Sequence, residues 1–392
     1  MPQNADIARA LYAALAAGDR EALAALLHPA FQGHAAEGMP FGIGGPHDGP
    51  EAMRRNVWGR IARNFEARVE PEHFIQLENG RLLVTGRYRG QGQGGAELDA
   101  AFIHVIGFAD GQIASLDQHT DTHRWHQAAA PAPTVTLDIA EGIAVLRLNR
   151  PAKGNAINEQ VTVDLLDAAN RLAEAPGLRA VLITGNGPHF TLGGDLDFFA
   201  GTSAEELPNR LRRMIDRYHL AMERLMALDA PIVAAIRGGA GGGGLGLLYV
   251  ADITIASDTA QFVLGYGRLG LTSDGGSTWF LPRLVGMQRA RELFLLNTRF
   301  GADEALAFGL VTRVCPDAAL EAEAAAMVSR LAAGPTRAFG GIRRLLRQSF
   351  ETGLPDQLRA EVDTIVEVSR TADAREGIAA FAAKRSPGFR GT

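Results

Sequence analysis

The chain has one cysteine in 392 residues, Cys315, so no internal disulfide can form. Its apolar flanks, Val311 and Val314, predict a packing thiol rather than a nucleophile. Excess positive charge is missing too: 39 Lys and Arg face 44 Asp and Glu, a net charge of −5, which gives no attraction to nucleic acid or to an anionic membrane. No basic, apolar leader is visible, because Asp6 precedes any long apolar run. No clean membrane span is visible either, since the most apolar window, 231–251, contains Arg237 and a glycine cluster. The expectation is a cytoplasmic protein with neither nucleic-acid nor membrane partners.

That window is the strongest feature present. Pro231 opens a buried-strand pattern, Ile232–Ile236; six glycines fill seven positions from Gly238 to Gly244; an apolar helix pattern follows from Leu245 to Ala251. Glycine contributes no packing and costs conformational entropy on folding, so such a cluster needs a reason. Strand, glycine turn and helix start together present unshielded backbone N–H groups, a cradle for an anion or for an oxygen that becomes one. No Gly-Lys-Ser/Thr closes the cluster, which disfavours a phosphate loop.

Length predicts two domains. Residues 1–126 read as helices over 6–17, 20–27 and 50–65, a Gly/Pro/His-rich loop from Gly33 to Gly49, and strands over 68–77, 81–90, 97–108 and 112–123. On the last strand, Asp117, His119, Asp121 and His123 recur at period two and would share a face. His104 alternates with Phe102, Ile106 and Phe108, which would turn it toward a pocket. Two-residue spacing of His119, Asp121 and His123 is a poor metal signature, and no metal is expected. The order of elements, with Gly38-Met-Pro-Phe-Gly42 and His47-Asp-Gly-Pro-Glu-Ala52, resembles the SnoaL-like polyketide cyclase family, related to ketosteroid isomerase. The resemblance implies an α+β cone, with Asp121 nearest to that family's acid/base position.

An Ala/Pro-rich linker, placed at 127–133, leads to a second domain at 134–392. A hairpin (135–139 and 143–148), a helix capped by Asn158, a strand at 180–184 and a helix over 208–228 precede the glycine window. Leu211, Ile215, Tyr218, Met222 and Leu225 recur at helical spacing and read as core. Strands over 252–257 and 261–264 and a mostly helical remainder follow. Four stretches in order carry a second resemblance: Leu148-Asn-Arg-Pro-Ala-Lys-Gly-Asn-Ala156, Phe190-Thr-Leu-Gly-Gly-Asp195, the glycine window ending at Asp252, and Phe381-Ala-Ala-Lys-Arg-Ser-Pro-Gly-Phe389. Residues 134–392 resemble the crotonase family of enoyl-CoA hydratases and isomerases. The fold implied is an α/β spiral of ββα units with a C-terminal helical region.

The resemblance also implies roles. The Gly194 and Gly243 amides would form an oxyanion hole for a thioester oxygen. Hydratases of the family carry two Glu residues, at the places held here by Gly246 and Tyr266. Asp274, in Thr272-Ser-Asp-Gly-Gly-Ser-Thr-Trp-Phe-Leu-Pro-Arg283, matches the acid of the isomerase branch; read alone, it is equally a helix cap or turn residue. Asn155, Ala156, Leu192 and Tyr266 would line the acyl-CoA site, with Phe381 and Lys384 reaching the CoA nucleotide of a neighbouring subunit in a homotrimer or homohexamer. The expected activity is acyl-CoA double-bond isomerisation with no cofactor beyond the CoA of the substrate. A hydratase or hydrolase using another base such as Tyr266, or a CoA-binding module serving the first domain, are the alternatives.

Overall fold

A computed structural model describes residues 2–392. The chain divides into two compact units, 1–133 and 134–392.

In the first unit, helices Pro2–Ala17 and Arg20–Leu26 precede a six-stranded sheet. Its strands are β1 (Leu27–Ala35), β2 (Gly45–Asp48), β3 (Phe65–Gln76), β4 (Leu82–Gly92), β5 (Glu97–Ala109) and β6 (Gln112–Thr120), in the order β2-β1-β6-β5-β4-β3. All neighbours are antiparallel except β1 and β6. Strands β1 and β2 occupy the stretch expected to be helix end and loop. Pro29 is tolerated because the β1–β6 register shifts between Leu27 and Gln32, where no ladder donor is required.

The expected face of β6 is corrected by its phase. Leu116 and Gln118 point into the core, so Asp117 and His119 lie on the other side, where Asp117 pairs with Arg81 over 2.5 Å. The strand stops at Thr120, and the exposed Asp121 caps helix Thr122–Ala129 by accepting from the Arg124 N–H. His123 therefore belongs to a helix. Residues 127–129 do as well, and Ala128 is fully buried, so the linker is shorter than its composition suggests.

The second unit is built on β7 (Val135–Ala140), β8 (Ile143–Leu148), β9 (Ala180–Gly185), β10 (Ile232–Ile236), β11 (Gly239–Gly241), β12 (Ile253–Ser257), β13 (Gln261–Val263), β14 (Phe300–Gly301) and β15 (Arg313–Cys315). Six form one sheet, β15-β12-β10-β9-β8-β7, parallel apart from the β7–β8 hairpin; β11, β13 and β14 form a second. Every residue of β10 is buried, which explains its uninterrupted apolar run. Helix Glu159–Glu174, capped by Asn158, packs on helix Leu207–Ala227. The segments leaving the carboxyl ends of β9 and β10 meet: Thr191 N–H donates to Gly239 O over 3.1 Å and Gly241 N–H to Thr191 O over 2.9 Å. That edge of a parallel sheet is where ligands bind in such folds. From Ser277 onward the chain is mostly helical, and it leaves apolar side chains such as Phe350, Leu354 and Ile365 exposed.

Candidate active site

The glycine window folds as β11, a tight turn over Gly242–Leu245 and a short helix, Gly246–Tyr249. Gly243 sits in the first turn, where amide N–H groups have no intrahelical acceptor. Opposite it, Ile157 bonds to both neighbours of Gly194, accepting from Asp195 N–H over 2.9 Å and donating to Gly193 O over 2.7 Å. The Gly194 N–H is thereby left outside that ladder. Gly193 has φ +89°, and a Cβ there would stand 2.7 Å from Gly241 O, so only glycine lets the loops approach this closely.

Asp195 fixes the Gly194 loop from below. Its carboxylate, nearly buried, pairs with Arg150 over 2.7 Å and caps the helix Leu196–Ala200 through the Phe198 N–H. Arg150 also donates to Ala156 O.

A cleft of about 370 Å³ opens over the two loops. Leu192, Gly194, Gly243, Tyr266 and Asp274 all line it. The Asp274 carboxylate lies against Gly243, 2.5 Å from where a Cβ would stand. It does not cap the following helix, Ser277–Val285, whose N-cap is Gly276. Instead Oδ1 accepts from the Tyr266 hydroxyl over 2.6 Å. Burial, and then the charge of Asp274, push the Tyr266 phenol far above its ordinary value, so it stays a donor. Leu196, Leu211, Ile215, Leu269 and Leu271 make the rest of the cleft largely apolar.

Tyr218, expected as core, has a further part. Its hydroxyl donates to Gly243 O over 2.7 Å, and burial holds its phenol protonated. The side-chain space at Gly246 is filled: a Cβ would meet the Tyr218 hydroxyl at 2.7 Å, Met222 Sδ at 2.9 Å and Gly275 O at 3.0 Å. Helical periodicity cannot separate a core tyrosine from one whose hydroxyl reaches a functional loop; that hydroxyl, beside the glycine window in space alone, was the missing signal.

Other expected residues lie elsewhere. Asn155 is 1% exposed and its side chain is consumed within the loops, donating to Asn186 O and His189 O and accepting from Arg150 N–H, so it is not available to a ligand. Ala156 is buried beside it, and neither lines the cleft. Phe381 and Lys384 are exposed and also lie outside the cleft lining of their own chain. Cys315 is partly buried, with its thiol raised by burial and nearby acidic groups, as suits packing rather than nucleophilic work.

In the first unit His104 does face inward, but into packed structure. Its ring nitrogens meet Tyr12 at 2.9 Å and Tyr88 at 3.1 Å, it stacks on Phe102, and it is 2% exposed. Burial, with a smaller contribution from His119, takes it down to about 3. Gln118, paired across from it, is fully buried with both side-chain polar atoms unpartnered. Asp121 belongs to the exposed helix cap and joins no such cluster. No group of three or more His, Cys, Asp or Glu placed to hold a metal occurs among the described residues, and no helix among them is long and apolar enough to cross a membrane.

Residues 138–392 match the family described as enoyl-CoA hydratase/isomerase. The chain belongs to that family. Residues 8–116 match the SnoaL-like domain family. The enoyl-CoA hydratase/isomerase portion is 37% identical over 259 residues to a "probable enoyl-CoA hydratase" of Rhodobacter capsulatus, covering 66% of this chain and 98% of that one. It is 35% identical over 254 residues to the 1,2-epoxyphenylacetyl-CoA isomerase of Escherichia coli, covering 64% and 97%. Among solved structures, the enoyl-CoA hydratase from Bacillus anthracis superposes with a TM-score of 0.62 at 30% identity, over 66% of this chain and all of that one. Hydratases and isomerases thus share this framework, and the side chains within the cleft must distinguish them.

Proposed function

We propose that the chain is an acyl-CoA double-bond isomerase that converts a 3-enoyl-CoA to the conjugated 2-enoyl-CoA. The observation that carries this reading is a single carboxylate, Asp274, in contact with Gly243 in a cleft whose other charged lining residues are Arg268 and Arg299. In the proposed reaction the Gly194 and Gly243 amides hold the thioester oxygen. Asp274 removes a proton from C2, negative charge spreads to the oxygen and to C4, and Asp274 returns the proton at C4. Two preset donors stabilise the charge that develops on the oxygen, an effect worth about a hundred- to a thousandfold per donor. One base suffices because the proton only moves between two carbons of one delocalised anion.

Hydration needs groups that orient and split water. The Gly246 place has no room for a carboxylate, and Tyr266 is held protonated as a donor to Asp274. These observations disfavour a hydratase, and they disfavour Tyr266 as the base. The exposed leucines at the cleft, Leu192, Leu196, Leu269 and Leu271, favour an apolar acyl group. Exposed Phe350, Leu354 and Phe381 support self-association through the C-terminal helices, into a trimer or hexamer in which Phe381 and Lys384 approach a neighbour's CoA. The protein is proposed to be cytoplasmic.

Asp274→Asn keeps size and removes the base. With a 3-enoyl-CoA, turnover is expected to fall about a hundred- to ten-thousandfold, with CoA affinity and thermal stability retained. Wild-type turnover by the variant, or net addition of water by the native enzyme, would overturn the reading.

A further inference from the structure

We infer that His219 is a positioning residue that holds the Asp274 turn from behind. His219 lies on helix Leu207–Ala227, next to Tyr218, and its Nε2 accepts from the Gly275 N–H over 3.1 Å. That amide belongs to the peptide joining Asp274 to Gly275, so the imidazole fixes the plane from which the carboxylate projects. The turn needs such a hold. Gly275 and Gly276 have φ of +59° and +73°, and two consecutive glycines give a backbone that many conformations satisfy in the absence of a tether. On the cleft side Tyr266 fixes Oδ1. Tyr218 and His219 are adjacent on one helix and pin the two halves of the site: Tyr218 holds the Gly243 carbonyl and His219 holds the amide after Asp274. The oxyanion loop and the base are therefore referenced to the same rigid element, as precise catalytic geometry demands.

The imidazole faces a cavity of its own. A hollow of about 380 Å³, sharing no lining residue with the substrate cleft, is bounded by His219, Met222, Met226, Trp279 and Phe280, among others. Solvent in it can exchange a proton with His219 while substrate occupies the cleft. The charged groups facing this space are Glu223 on the same helix and Arg347 and Glu351 from the C-terminal region, with Asp274 across the Gly275 amide. A protonated imidazole has no lone pair at Nε2 and can no longer accept from Gly275. Loss of that acceptor releases the Gly275 amide and with it the turn that carries Asp274.

The inference rests on the reading of Asp274 as the base, and the experiment separates the two. His219→Leu, His219→Gln and Asp274→Asn are assayed in the full chain with a 3-enoyl-CoA, with KM, thermal unfolding and the pH dependence of kcat recorded. Leu fills the space without an acceptor, and kcat is expected to fall about tenfold with KM little changed, the scale of one lost hydrogen bond. Gln places an amide oxygen near the Nε2 position and cannot titrate. It is expected to recover kcat to within about threefold and to show a weaker fall of kcat in acid than the native enzyme. Asp274 is present in both, so the difference between their profiles belongs to His219. If Asp274→Asn turns over at the native rate, the functional reading fails. If it is inactive while His219→Leu is unimpaired, or if the Gln and native profiles coincide, the positioning role alone is overturned. Should His219→Leu fail to fold, the comparison of Gln with the native profile decides.

Discussion

The Tyr218 hydroxyl lies 2.7 Å from the Gly243 carbonyl oxygen and donates to it, while standing 2.7 Å from the place a Cβ on Gly246 would take. One phenol thus supports the Gly243 loop and occupies the room that a side chain at Gly246 would need.

Tyr218→Phe removes the donor and keeps the ring. Gly243 O, partly buried, keeps the Gly246 N–H and loses one hydrogen bond, a cost of about 0.5–1.5 kcal/mol. Expected are a drop of several degrees in Tm and a fall in kcat of about tenfold, with little change in KM, because only the position of the Gly243 loop is disturbed. Steady-state kinetics and a thermal melt check this; unchanged kcat would reduce Tyr218 to core packing.

Gly246→Glu does not create a hydratase. Its first side-chain carbon meets Tyr218, Met222 and Gly275 at or below about 3 Å, so the core must shift. Overpacking of this kind costs about 1–3 kcal/mol. A lowered Tm is expected, with no 3-hydroxyacyl-CoA formed from a 2-enoyl-CoA. Detection of that product at a useful rate would show that the site opens more easily than its packing implies.

The first unit should lose stability in acid through His104. Its pKa falls from 6.5 to about 3 on folding because burial disfavours the imidazolium. A depressed folded value means that above about 6.5 both states are neutral and the full stability is present. Below it the unfolded chain gains a proton that the folded state refuses, and the loss grows until the pH nears 3. At 1.36 kcal/mol per unit the ceiling is about 5 kcal/mol. Denaturant titrations of the full chain at pH 7 and 4.5, followed by near-ultraviolet dichroism, should show the loss, and His104→Gln should lessen the pH dependence.

Much of this arrangement was legible in the sequence, and the limits have physical causes. The apolar run at Ile232–Ile236 and the glycines after it announce a buried strand and an open backbone, and the structure contains both. β1 escaped notice because Pro29 reads as a breaker, while a register shift in the pairing accommodates it. The phase of β6 was misread because charged residues at period two mark a face without saying which side it is; Leu116 and Gln118 settle it. Asp121 illustrates the same limit at a boundary, since Asp-Thr serves equally as a strand end and as a helix cap. The bonds of the Asn155 side chain could not be read from the sequence, because they run to residues 31 and 34 positions away. Tyr218 and His219 are neighbours of Gly243 and Gly275 only in three dimensions.

The close packing of the glycine loops also bears on how such a site can change over time. A side chain at Gly243 would strike Asp274, one at Gly244 would strike Thr191, and one at Gly246 would strike Tyr218. Each position is therefore closed until its opposite residue has first become smaller. A lineage moving from this one-acid cleft toward a two-acid cleft needs the Tyr218 hydroxyl and the Met222 sulfur to give way before an acid at 246 fits without strain. The order of substitutions is constrained, and an intermediate without the Tyr218 hydroxyl lacks both the support under the Gly243 loop and the new acid. Such a gap would keep the two chemistries apart on a shared framework.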